Sequence, residues 1–257
     1  MPARTAFSAA AFAAALLPAA AAAQSSLGFT AGALTLGATS VESGDSRGFA
    51  EGWLDVAITG SHGLQFDLGL EETAAGTLAH AGAHLYLAPK AGQKYGLFAV
   101  VSDMDGMEFT VGAVGAEGIF ALGERTALEL RGGVGIARRP TAPTSLDFIF
   151  VGAGVTHEFS PALSAGLYAE AAEFDEIGLR ANGYTIRFEA ELRPGRGPLA
   201  LTAGIGISGL DGPDGMPSES FVSLGLTYSF GGRGSDPSRR AFRRPDPYAP
   251  LALRGLF

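Results

Sequence analysis

The chain has 257 residues, 38 of them glycine, with 17% charged residues, no cysteine and a formal net charge of −8. Glycine at this density works against long helices, and the missing cysteines remove disulfides, thiolate nucleophiles and thiolate metal ligands together. The acidic balance speaks against a nucleic-acid partner, and the length accommodates one large β domain or two smaller ones.

The first 23 residues, MPARTAFSAAAFAAALLPAAAAA, set Arg4 ahead of an apolar run that ends in small residues, with Ala21 and Ala23 in A-x-A spacing before Gln24. This pattern predicts a cleaved secretory signal peptide over residues 1–23. An uncleaved anchor is the competing reading, since the 19 residues from Thr5 to Ala23 carry no charge and a spanning helix needs roughly 20. Pro18 and the small-residue site favour cleavage, and no later segment suits a transmembrane helix.

From Gln24 to Phe230, twelve segments alternate apolar with small or polar residues, each bounded by glycine, proline or charged residues. The clearest run from Leu64 to Leu70, Thr77 to Leu87, Tyr95 to Val101, Ala127 to Ile136, Ile149 to Phe159, Tyr184 to Arg193, Leu199 to Ser208 and Phe221 to Phe230. Weaker ones start near Leu27, Phe49, Phe109 and Leu163. Connections after even-numbered segments are mostly short (GSH, PKAGQ, GER, SP, PGRGP), whereas those after odd-numbered ones include longer acidic or irregular stretches such as SVESGDSR, RRPTAPTSLD, FDEIGLRAN and GLDGPDGMPSES. Short turns on one rim and longer loops on the other predict an all-β, transmembrane, antiparallel up-and-down barrel over residues 24–230, with both barrel ends at the periplasm. Twelve strands are expected, with ten or fourteen as alternatives; a soluble periplasmic β-sandwich is the architectural rival.

Parity along the segments separates charge from grease. Tyr184, Ile186, Phe188, Ala190 and Leu192 fall on one face, and Thr185, Arg187, Glu189, Glu191 and Arg193 on the other. Leu64, Phe66, Leu68 and Leu70 likewise oppose Gln65, Asp67, Gly69 and Glu71, while Leu54, Val56 and Ile58 oppose Glu51, Trp53 and Asp55. A barrel in lipid must keep its outside apolar, since Arg or Lys facing the bilayer midplane costs about 2–4 kcal/mol. Two places break the rule: Glu117 shares parity with Phe109, Val111 and Ala113, and the first segment shifts its apolar parity from Phe29 and Ala31 to Leu34 and Leu36. A β-bulge would account for either, and a place at the rim would account for Glu117.

Residues 223–230, SLGLTYSF, carry a polar residue at Ser223, glycine at Gly225 and aromatics at Tyr228 and Phe230. This spacing resembles the C-terminal assembly signal of bacterial outer-membrane β-barrel proteins, and with the signal peptide and the eleven preceding segments the chain from Gln24 to Phe230 resembles that porin-like superfamily. The resemblance implies that this strand closes the barrel and is read by the β-barrel assembly machinery, with outer-membrane lipid and lipopolysaccharide as surroundings.

The departure is a tail, residues 231–257, with six arginines and two aspartates, a charge of +4. Removing this and Arg4 from the total of −8 leaves −13 over residues 24–230. Rich in Pro, Gly and Arg, the tail reads first as a disordered periplasmic extension. The sharper alternatives are a plug in the acidic lumen, docking on a periplasmic partner, and a recognition peptide at Leu251–Phe257.

By parity the lumen receives Glu51, Asp55, Asp67, Glu71, Glu129, Glu158, Glu170, Glu189 and Glu191, against Arg131, Arg187 and Arg193. Nine acids against three bases favour cations and small positive solutes in a pore, whereas cross-strand pairing of the same charges would only fill a narrow barrel. Twelve strands lie between the packed interior of eight and the water channel of sixteen, which limits any pore to small solutes.

Other chemistry fares less well. His80 and His84 share the inward face with Tyr86, but i and i+4 on a strand stand roughly 13 Å apart, too far for one metal, so a structural role is expected. His157 near Ser160 invites comparison with outer-membrane lipases, yet Glu158 points the other way and no third group orients the pair. GIGISG at 204–209 matches a dinucleotide fingerprint but leads into LDGPDG and not a helix. Asp103, Asp105 and Gly106 resemble the start of a calcium loop without its final Glu, and read as a turn. The sequence therefore predicts a porin-like diffusion channel with no catalytic residues, metal or cofactor; a non-conducting structural or adhesive barrel and a lipid-modifying enzyme are the alternatives.

Overall fold

The computed structural model describes residues 28–44, 46–73, 76–105, 109–138, 145–176, 179–195, 197–231 and 239–252. The expected signal peptide, Gly106 and most of Leu251–Phe257 lie outside them. Twelve strands follow in chain order: β1 (Gly28–Val41), β2 (Ser46–Ala57), β3 (His62–Thr73), β4 (Gly76–Lys90), β5 (Gln93–Met104), β6 (Phe109–Ala121), β7 (Thr126–Arg138), β8 (Leu146–Ser160), β9 (Leu163–Glu176), β10 (Leu179–Leu192), β11 (Leu199–Asp211) and β12 (Met216–Gly231). A short helix, α1 (Ala249–Ala252), follows. Each strand pairs antiparallel with its neighbours in sequence, and β1 pairs with β12 from Ala31–Gly231 to Val41–Phe221, closing the barrel. Closure leaves no unpaired sheet edge.

The alternation read from the sequence produces this shape directly. Leu36, Phe66, Leu97, Val151, Leu167 and Leu224 all point out of the barrel and are exposed, Val151 by 65%. Gln65, Asp67, His84 and Lys94 point in and are buried. A soluble sheet would hide the first set; here they form an apolar outer band of the kind that lipid solvates.

Of three local features, one is as expected and two differ. The parity shift in β1 is a bulge, where the register against β2 slips between Phe29 and Ala31. β6 has no bulge: its register with both neighbours is continuous, and Phe109, Val111, Ala113 and Glu117 all face inward. The apolar face of that strand is thus its lumen face. The long loops, finally, are shorter than expected: FDEIGLRAN and GLDGPDGMPSES are mostly strand and SVESGDSR is half strand, while RRPTAPTSLD keeps a seven-residue connection. Connections after odd strands cover only 42–45, 74–75, 105–108, 139–145, 177–178 and 212–215, little longer than the turns at the other rim.

Cross-strand pairs explain part of the glycine content. Gly154 faces Tyr168, Gly135 faces Phe148, Gly63 faces Tyr86 and Gly206 faces Phe221 across neighbouring strands. In each pair the aromatic ring lies over the glycine, so that a Cβ there would run into it. The missing side chain lets the ring lie flat along the wall and leaves the lumen clear.

At the rim farther from the barrel's chain ends, the lumen is packed with apolar side chains. Leu78, Phe98, Met104, Phe148, Phe174 and Leu210 belong to one buried cluster that also takes in Tyr248 and Leu251, beyond the last strand. The described part of the tail, 239–252, therefore lies inside the barrel and not beyond it.

Candidate functional site in the barrel lumen

The lumen encloses a cavity of about 1410 Å³, bounded by both the wall and the tail. Glu51, Asp67, Glu129, Arg131, Glu158, Glu170, Arg187, Glu189, Glu191 and Arg193 all line it. Asp55 is buried in the wall beside it, accepting a hydrogen bond from the Tyr86 hydroxyl at 2.5 Å and standing 3.8 Å from the Lys94 ammonium. Glu71 interacts electrostatically with Arg244 and Asp246 of the tail. Several of these charges do pair along or between strands: Arg131 with Glu170 at 2.6 Å, Arg187 with Glu189 at 3.2 Å, and Arg193 with Glu191.

Further compensation comes from the tail. Among residues 239–252 are four arginines and one aspartate. Arg243 makes a forked pair with Glu189, its two terminal nitrogens 2.6 and 2.9 Å from the carboxylate oxygens, and its guanidinium lies 3.7 Å from the centroid of the Tyr168 ring. Burial opposes the charge on Arg243, but the Glu189 carboxylate outweighs it and holds the guanidinium charged well above its ordinary range. Arg244 donates to the Tyr248 hydroxyl at 3.1 Å and lies 3.6 Å from Asp246. Tyr248 is fully buried and bonded to Ser102, and burial pushes its hydroxyl pKa up, so it stays protonated.

The tail's main chain is held as well. Gln65 makes a two-way pair with Phe242, accepting from its N–H and donating to its carbonyl, both at 2.8 Å. Lys94 donates to the Arg240 carbonyl at 2.9 Å, Arg131 to the Arg243 carbonyl at 3.0 Å, while Glu129 accepts from the Arg243 N–H at 3.2 Å and Glu170 from the Asp246 N–H at 2.9 Å. These partners sit on β3, β5, β7 and β9, and they satisfy polar groups that would otherwise be stranded in a narrow lumen. The contacts run from Lys94, at the start of β5, to Ser102, near its end, so the segment climbs the barrel from the rim that bears the chain ends.

Lys94 and Glu117 are functional neighbours absent from the parity list. Lys94 sits over the rings of Tyr86 and Phe242, 4.3 and 4.1 Å from their centroids. His84 bridges two carboxylates, Asp67 at 2.7 Å and Glu117 at 2.5 Å, and stacks on Phe242 with centroids 5.5 Å apart. In KYGLFAVV, which runs from Lys94, both faces of β5 are largely apolar, Leu97 and Val101 toward lipid and Phe98 and Val100 toward the lumen, so alternation gives no sign of which face Lys94 takes; Glu117 shares its face with Phe109, Val111 and Ala113. His80 is buried in the wall over Gly69, on the adjoining strand. His157 bonds Thr126 at 2.9 Å, and the Ser160 hydroxyl accepts from the Ala162 N–H at 3.3 Å, so these two do not address each other. GIGISG lies wholly within β11, and Asp103 accepts from the Thr110 hydroxyl at 2.6 Å.

The SLGLTYSF strand is β12, the closing strand. Ser223 pairs with Thr39 and Gly225 with Gly37 of β1; Tyr228 points outward, and Phe230 lies over Gly32 and stacks on Phe29, centroids 5.7 Å apart.

No family model matches the chain, and no curated protein matches it in sequence. Solved structures do match. A KdgM porin is similar with a TM-score of 0.57 and 8% identity over 77% of this chain and 99% of that one. A NanC porin gives 0.58 and 7% over 76% and 98%. An outer-membrane channel from Pseudomonas putida F1 gives 0.58 and 15% over 79% and 96%. At such identities the likeness is one of fold: the chain is a closed twelve-stranded antiparallel barrel with the fold of solved outer-membrane porins.

Proposed function

We propose that the protein is a porin-like channel of the bacterial outer membrane, passing small solutes or ions with a preference for cations, and that its own C-terminal segment closes it in the described state. The observation that carries this reading is a barrel with an apolar outside and a charged cavity inside, in which the acids of the wall are partly offset by arginines of the C-terminal segment. The neighbours in fold are named as porins and channels. Conductance in a planar bilayer under a salt gradient is the test, on the mature chain and on one ending at Phe230. Larger, cation-selective steps without the tail are expected. Silence from both, with folding verified by heat-modifiable gel mobility, would move the protein to a non-conducting structural or adhesive barrel. The apolar cluster spanning the far end of the lumen favours that second reading.

Export by a cleaved signal peptide and closure of the barrel by the assembly machinery belong to the same proposal. Replacing Phe230 by Ala removes both the signal's last aromatic and the stack on Phe29. It should reduce folded protein in the outer membrane severalfold at equal synthesis, read by heat-modifiable mobility in membrane fractions.

A further inference from the structure

We infer that the lumen is a binding site for extended peptides carrying an aromatic residue followed by arginine, and that residues 239–246 occupy it as a tethered ligand; the inference rests on the channel reading for how such a peptide would reach it. A stopper needs only bulk and grease, which Tyr248 and Leu251 supply at the far end. The stretch before them is recognised in more detail.

Three features separate recognition from filling. First, side chains of the wall bond the main chain of Arg240, Phe242, Arg243 and Asp246. Such bonds serve any peptide in the same extended path, and the paired bonds of Gln65 to Phe242 imitate one rung of a β-ladder. Second, Phe242 enters an aromatic slot: His84 stacks on it with planes 9° apart, Tyr86 meets it edge-on at 5.9 Å, and Lys94 caps it. Third, the next residue, Arg243, enters a slot of different chemistry, a carboxylate fork on Glu189 and the face of Tyr168. A planar guanidinium forks both carboxylate oxygens while lying flat on the ring, and a lysine ammonium, a point charge, cannot make that forked bond. Tyr168 is itself oriented, its hydroxyl 2.8 Å from Thr156 and its ring over Gly154. Two adjacent slots of distinct specificity, joined by sequence-independent main-chain bonds, form a dipeptide reader.

The occupant is covalently tied at the rim where β12 ends, so a cut there should convert it into an exchangeable ligand. The experiment inserts a protease site between Gly231 and Arg239 of the full chain, cleaves after folding in detergent, and follows exchange of a fluorescently labelled peptide of residues 239–252 by anisotropy. A chain ending at Phe230, with folding checked by heat-modifiable mobility, provides a second receptor with nothing to displace. We expect saturable uptake in at least one form, and competition that weakens at least about tenfold when the unlabelled peptide carries Arg243→Lys or Phe242→Ala. With Glu189→Gln in the barrel, the difference between the unaltered peptide and the one carrying Arg243→Lys should shrink to less than about threefold, as a double-mutant cycle requires of a direct contact. Equal competition by a scrambled peptide of the same composition would overturn the inference, leaving the lumen as an unspecific acidic sink. So would failure of both folded forms to take up the peptide. Because binding is read without conductance, a barrel that binds but does not conduct would refute the channel and leave the peptide site standing.

Discussion

At the scale of single residues, the lumen is organised by charges that cannot be left alone. Arg243 and Glu189 are largely shielded from water, with 27% and 30% of their side chains exposed, so each depends on the other more than a surface pair would. Glu189→Gln leaves the guanidinium with Tyr168 and a neutral amide. We expect tail docking to weaken by about 1–3 kcal/mol, allowing for that residual exposure. Limited trypsin digestion reads this, since cleavage after Arg240 and Arg243 requires the segment to leave the lumen and should accelerate by about one to two decades. An unchanged digestion rate would show that Glu189 does not anchor the tail. His84, between Asp67 and Glu117, obeys the same logic within the wall: three strands, β3, β4 and β6, are tied through one ring.

At the scale of elements, glycine opposite an aromatic is the recurring device. It permits a ring to lie along the wall, and on β8 and β9 it sets the tilt of Tyr168 beneath Arg243. Gly154→Val drives its Cβ into the Tyr168 ring, which overpacks the pair by about 1–3 kcal/mol. The variant should melt earlier on heat-modifiable gels and release the tail faster to trypsin. Adding Tyr168→Ala should recover the melting but not the tail protection. If the double change recovered both, the ring would have no part in holding Arg243.

For the whole molecule, the tail divides into an anchor and a reader. Tyr248 and Leu251 dock in the apolar cluster, while Phe242 and Arg243 meet polar and aromatic slots below. Leu251→Ala opens a cavity in that cluster and costs about 2–5 kcal/mol, by the usual penalty for truncating a buried leucine. The barrel strands keep their hydrogen bonds, so the loss falls on the docked tail. Intact Leu251→Ala protein should then show more frequent openings in a planar bilayer than the unaltered chain, approaching the behaviour of a chain ending at Phe230. Unchanged traces would mean that the anchor does not control closure. Expelling 239–252 also removes a net charge of +3, from four arginines and one aspartate, and the reversal potential should move toward greater cation preference.

The twelve strands, their inside and outside at β2, β3 and β10, and the closing strand were all legible in the chain, because lipid on one side and lumen on the other impose a period of two that composition cannot hide. What period two could not reveal was where both faces are apolar. In β5 and β6, Phe98, Val100, Phe109 and Val111 line the lumen, yet they carry the same signature as lipid-facing residues, so Lys94 and Glu117 went unassigned. The place of the tail was beyond local reasoning as well. Its Pro, Gly and Arg content describes a segment that cannot fold alone, and only the closed barrel supplies the paired carboxylates, aromatic slots and apolar end that make an ordered conformation favourable. Alternation along each strand thus determined the wall, and closure of that wall decided what it holds, since the contacts that order the tail come from strands distant in sequence and meet only across the lumen.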